Sequence, residues 1–113
     1  MKESDLQKAV MEYLQILENQ GRIYSFRSGS GVIQTKTGNW FKSGKAGCPD
    51  ISVITNDGYI GLEIKTAKGK LSDGQIEAKR QIESLGQRYH VVRSIDDVVD
   101  IFGRFNNDKE SEG

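Results

Sequence analysis

Two runs of strand-forming residues, Ile51 to Thr55 and Tyr59 to Lys65, are separated only by Asn56-Asp57-Gly58. Asp-Gly between β-rich runs is a strong hairpin signal, because both residues tolerate the backbone of a tight turn. So short a connection makes the two runs antiparallel neighbours and fixes which residues meet across them. With Asp57-Gly58 as a two-residue turn, Thr55 is predicted to face Ile60, Val53 to face Leu62 and Ile51 to face Ile64, giving one apolar face. The other face then carries Asn56 with Tyr59, Ile54 with Gly61, Ser52 with Glu63, and Asp50 with Lys65. Side chains alternate along a strand, so a slip of one residue would mix the two sets. The pattern that makes a clean apolar face therefore also gathers Asp50, Glu63 and Lys65 at the open end of the hairpin.

Two neighbouring carboxylates repel unless a cation lies between them. Hard oxygen ligands suit Mg²⁺ or Mn²⁺, which bind few carboxylates and keep several waters. The carbonyl of Ile64 is a further candidate oxygen. Such a cation polarises a phosphoryl oxygen and activates water, while Lys65 would orient that water or offset developing negative charge. This is the chemistry of phosphodiester hydrolysis. The same three residues also suit an ordinary exposed cross-strand ion cluster, worth only ~0–1 kcal/mol. Pro49 leans towards the first reading, since it fixes the backbone ahead of the strand and places Asp50 at a rigid strand start or sheet edge.

The chain has 113 residues, enough for one domain. It contains no apolar run of the length that spans a membrane and no apolar stretch behind Met1-Lys2 to serve as a signal peptide, so a cytoplasmic protein is expected. The single cysteine, Cys48, excludes an internal disulfide and a Cys-rich zinc site. Net charge is zero, but residues 22–70 carry +5 against −2 before them and −3 after them. A basic centre between acidic ends suits a phosphate-contacting face, and solvated loop lysines explain it equally well.

Leu6, Ala9, Val10, Tyr13, Leu14 and Leu17 recur at helical spacing, predicting a helix from Ser4 to Asn19 with Ser4 and Gln7 as a capping pair and Gly21 as its stop. Ile23 to Arg27 alternates as a strand. Val32 to Thr35 and Trp40-Phe41 flank Thr37-Gly38-Asn39 as a plausible flap or hairpin. Ser72 with Gln75 opens a second helix that ends near Leu85 before Gly86. Arg88 to Arg93 reads as a strand, and Ser94 caps a last helix containing Val98 and Phe102. The prediction is an α/β domain over residues 1–105, with a polar, frayed tail over 106–113. Its order is α-β-β-β-α-β-α, around a central mixed sheet.

Pro49-Asp50, then Glu63-Ile64-Lys65, resembles the PD-(D/E)xK motif of the restriction-endonuclease-like nucleases. The surroundings narrow this. Gly44 to Asp50, Gly61-Leu62-Glu63-Ile64-Lys65, Gly69-Lys70-Leu71-Ser72 with Gln75, and Val91-Val92-Arg93-Ser94 with Asp96-Asp97-Val98 together resemble the virus-type replication–repair nuclease (VRR-NUC) family, most closely its small stand-alone phage and bacterial members. The resemblance implies a mixed sheet flanked by helices, divalent-metal-dependent DNA cleavage, and homodimers acting on branched DNA such as four-way junctions. It implies that Asp50, Glu63 and the Ile64 carbonyl bind the metal and that Lys65 is catalytic. An acid early in the first helix would complete the site, with Glu3 the best match and Glu12 the alternative. Gln75 matches a recurring glutamine, although capping alone would account for it.

Candidate DNA contacts are Lys45, Lys68, Lys70, Arg27 and Gln75. Trp40 and Phe41 suit either base stacking or the core. His90, alone in a strand, and Cys48, without triad company, are read as packing residues. No small-molecule cofactor is expected. A non-catalytic DNA-binding module and an interaction domain are the competing functional classes.

Overall fold

The computed structural model describes residues 2–29, 31–34, 36–43 and 45–112, with the side chains of 31–34, 40–43 and 104–112 left out of the description. The elements are α1 (Glu3–Asn19), β1 (Tyr24–Arg27), β2 (Gly31–Gln34), β3 (Trp40–Ser43), β4 (Ile51–Thr55), β5 (Gly58–Ile64), α2 (Asp73–Ser84), β6 (Arg88–Val92) and α3 (Ile95–Glu112). Four strands form one sheet in the order β1-β4-β5-β6, and β2 and β3 form a separate antiparallel ribbon. The first three strands of the large sheet are antiparallel, whereas β6 runs parallel to β5. A parallel neighbour requires a crossover, and α2 supplies it.

The stripe of α1, Leu6, Val10, Leu14 and Leu17, is buried against Ile51, Val53, Ile60, Leu62 and Ile64, with Val92 of β6 and Val98 and Phe102 of α3 completing the core. Steps of four, four and three keep those α1 residues on one side of the helix. α2 is different: it buries none of its side chains. Between it and the sheet lies a cavity of about 510 Å³, lined among others by Ala46, Cys48, Pro49, Tyr59, Ala78 and Ile82. The sheet is thus packed tightly on the α1–α3 side and loosely on the other.

The hairpin departs from its predicted register by two residues. Ile51 pairs with Leu62, Val53 with Ile60 and Thr55 with Gly58. Asn56 and Asp57 form the tip, and Gly58 follows with φ of 119°. The predicted turn would need Asp57 at positive φ, which no described non-glycine residue adopts. The Thr55 hydroxyl ties the turn down, accepting from Asp57 N and donating to Gly58 O, both at 3.0 Å. Because the slip is even, the two faces keep their residues. Ser52 now faces Gly61, not Glu63.

α1 begins at Glu3 with Lys2 as its N-cap and no side-chain cap, so the Ser4–Gln7 pair does not form. Glu3 and Asp5 in its first turn supply the negative charge that a helix N-terminus favours. The second capping box is present: Ser72 Oγ accepts from Gln75 N, and Gln75 Oε1 accepts from Ser72 N. Ser72→Ala is expected to lower the unfolding free energy by ~1 kcal/mol, read as a lower urea midpoint at constant m-value. At Ser94, Oγ accepts from Asp97 N at 3.3 Å. The helical backbone of α3 continues to Glu112, through the stretch for which the sequence predicts a frayed tail. Among the described residues, no helix is long and apolar enough to cross a membrane.

Candidate active site

Asp50 stands one residue ahead of β4, and the observed register continued one step sets it opposite Glu63 rather than opposite Lys65. Its position is fixed from several directions. The Asp50 carbonyl accepts from Ser28 N at 2.9 Å and Gly29 N at 3.2 Å, which binds it to the end of β1. The hydroxyl of Ser28 donates to Pro49 O at 2.8 Å. Having spent its one proton there, Ser28 must accept from Ser52 (2.6 Å), and Ser52 in turn from Tyr59 (2.8 Å). The Pro49 ring lies on Gly61, where an added Cβ would come within 2.6 Å of Cγ, so this strand position needs glycine for the close approach. Finally, Asp50 Oδ2 accepts from Ile64 N at 2.8 Å.

Glu63 is only 2% exposed. Its Oε2 accepts from Gln75 Nε2 at 3.1 Å, whereas Oε1 is buried with no hydrogen-bond partner. The capping box explains the first contact: Gln75 Oε1 is held by Ser72 N, so its amide nitrogen is the end left for Glu63. The Glu63 pKa is pushed up to about 8, first by burial, then by the neighbouring Asp50 carboxyl and, least, by Glu3, with Lys65 pulling it down. Tyr89 of β6, aligned with Gly61, puts a second buried and unpartnered oxygen here. Burial first, then Glu63 and Asp50, hold its hydroxyl well above its ordinary pKa.

A buried acid with an unpartnered oxygen, pressed against a second carboxylate, needs either a proton or a cation. The donor set is oxygen only, which fits a hard divalent ion. Asp50 and Glu63 would hold it. Glu3 acts on Glu63 through its charge, but no three acidic, His or Cys side chains converge at metal-binding spacing among the described residues. Glu12 is exposed. The Ile64 N–H, rather than its carbonyl, is what the structure ties to the carboxylates.

A solved structure described as a VRR_NUC domain matches the chain with a TM-score of 0.63, covering 89% of this chain and 94% of that one at 20% identity. The fold is that of a VRR_NUC domain. No family model and no curated protein matches the sequence. The VRR_NUC fold explains the layout: a mixed sheet with a parallel last strand and helices on both sides.

Within this VRR_NUC frame the cationic candidates separate. Lys65, half-buried just past β5, and exposed Lys68 and Lys70 follow directly from the strand that carries Glu63. Lys45 is exposed at the rim of the cavity. Arg27 pairs with Ile51, a core residue, so its register places it on the face away from the carboxylates. His90 lies in β6 with its pKa lowered, first by burial and then by Arg88. Cys48 is a free, half-buried thiol beside the cavity. The Trp40 and Phe41 side chains lie outside the described residues. Tyr89, Ser28 and Ser52 are not singled out by sequence. Ser52 alone leaves a trace there, since alternation along the hairpin puts it on the face of Asp50 and Glu63.

Proposed function

We propose that this protein is a divalent-metal-dependent DNA endonuclease that hydrolyses phosphodiester bonds in branched DNA and works as a homodimer. The observation that carries the reading is the Asp50–Glu63 pair, two carboxylates brought together beside a lysine, with Glu63 Oε1 buried and unpartnered. Mg²⁺ or Mn²⁺ bound there supplies Lewis-acid polarisation of a phosphoryl oxygen and a more acidic water. The chain's own groups do the rest. Gln75 and Ile64 N–H orient the two carboxylates, and Lys65 supplies a positive charge for the oxygen that becomes more negative as the bond breaks. Lys68, Lys70 and Lys45 give the backbone of the substrate a cationic approach. Tyr24 and Phe26 of the edge strand β1 and Ile54 of the adjacent β4, exposed by 60%, 42% and 52%, are neighbours and favour a self-associating surface.

The test is incubation of the protein with end-labelled four-way junction, flap and plain duplex, each with Mg²⁺, with Mn²⁺ and with EDTA. Cleavage is expected only with the cation and fastest on branched DNA, and Lys65→Ala should remove it while leaving the protein bound to DNA. Binding that needs no cation, with no product on any substrate, would show a DNA-binding module instead.

A further inference from the structure

Beyond the carboxylates and Lys65, we propose that Arg93 is a positioning residue. It clamps the loop between β5 and α2 against the stem of Lys65, so that Lys65, Lys68 and Lys70 face the DNA backbone as one ordered cationic ridge. The loop leaves β5 with Lys65 N donating to Val92 O at 3.0 Å, and it turns where Gly69 N donates to Thr66 O at 3.1 Å. One nitrogen of Arg93, Nη1, donates to Thr66 O at 2.6 Å and Gly69 O at 2.8 Å and lies 3.4 Å from Ala67 O. The root of Arg93 is itself anchored: its backbone N donates to Asp97 Oδ2 at 2.8 Å, and Asp97 N donates to Ser94 Oγ at 3.3 Å in the first turn of α3.

The clamp reaches the lysine through Gly69. A Cβ there would lie 3.4 Å from Lys65 Cδ and 3.5 Å from its Cβ, so the loop backbone runs along the methylenes of Lys65. A flexible side chain loses rotamer freedom when its stem is packed, and Lys65 is thereby ordered before substrate arrives. Neutral carbonyls satisfy Arg93 without cancelling its charge, which adds to the field felt by a phosphate. The loop geometry stands by itself, whereas its use in catalysis rests on the nuclease reading above.

Two variants test it. Arg93→Met keeps the aliphatic stem and removes every donor. Arg93→Lys returns three donors to a single nitrogen, which is how the carbonyls are met. Arg93→Met is expected to lower kcat ~10-fold at saturating DNA and to reduce the salt slope of DNA binding by ~1. It should also speed amide exchange at Gly69 at least ~10-fold while the thermal midpoint moves by only a few degrees. Arg93→Lys should restore most of each. Unchanged Gly69 exchange in Arg93→Met, or equal impairment in both variants, would overturn the clamp. Should the wild type cut no DNA, the nuclease reading fails, and the Gly69 exchange comparison still decides whether Arg93 orders the loop.

Discussion

Asp50→Asn will reduce cleavage by about a thousandfold or more, some 4 kcal/mol of transition-state stabilisation, while the fold and DNA affinity persist. Asparagine is close to isosteric and keeps an oxygen for the Ile64 N–H, which donates to Asp50 Oδ2. What disappears is the charge that makes the pocket a pair of carboxylates. Removing it also takes away one of the groups that raise the Glu63 pKa, so Glu63 ionises at lower pH in the variant. A negative charge is removed beside a polyanion, so binding should be as tight as wild type or tighter. Single-turnover cleavage with Mg²⁺ and binding with the cation chelated separate the two effects. A variant that cuts normally would remove Asp50 from the chemistry.

The second large effect is on stability. Glu63 has its pKa raised from 4.5 to about 8 in the folded protein. Between those values the folded chain holds a proton that the unfolded chain has released, so stability falls as pH rises through this window. The cation-free protein should therefore be most stable at or below about pH 4.5 as far as this group is concerned, and lose that contribution by about pH 8. Glu63→Gln removes the ionisation. It is expected to stabilise the cation-free protein by ~1–3 kcal/mol at pH 8.5, the scale of leaving a buried polar group badly paired, and to abolish cleavage. Urea unfolding of both proteins at pH 5 and pH 8.5 checks this, with the difference between them expected only at the higher pH. Parallel losses in the two proteins would place the pH dependence elsewhere.

The opposition of stability and activity expected at Glu63 would mark a site rather than a surface ion cluster. An exposed ion pair such as Lys79–Glu83, at 2.9 Å along α2, contributes little either way. Glu63 is instead enclosed, poorly paired and adjacent to another acid. A protein retains such an arrangement at a cost to its own stability, and functional sites are where such costs are found.

Strand alternation is what makes the candidate site legible in the sequence. The sequence pattern puts Asp50, Glu63 and Lys65 on one face through a register two residues from the observed one, and the face is kept because alternation has a period of two. The partner within that face did not survive: Glu63 meets Asp50, not Ser52. Turn geometry decided this, through the positive φ of Gly58, which a dipeptide signal alone does not resolve. Helix starts were legible where a side chain does the capping, as at Ser72 and Ser94, and not at Lys2, where none does. Gln75 shows the limit of a local explanation. Its capping role is real, yet that role is also what aims its amide at Glu63, a residue on another element. The contributions of Tyr89, Ser28 and Arg93 depend on contacts across more than 20 residues of chain, which no local spacing encodes.

The most direct test of the account is a Mn²⁺ titration of the wild type, Asp50→Asn and Glu63→Gln, followed by electron paramagnetic resonance of the free ion at pH 8. Saturable binding in the wild type, weakened at least ~10-fold in each variant and displaced by Mg²⁺, is the predicted result. Binding that is absent from the wild type, or equally tight in all three proteins, would contradict the claim that Asp50 and Glu63 together hold a divalent cation.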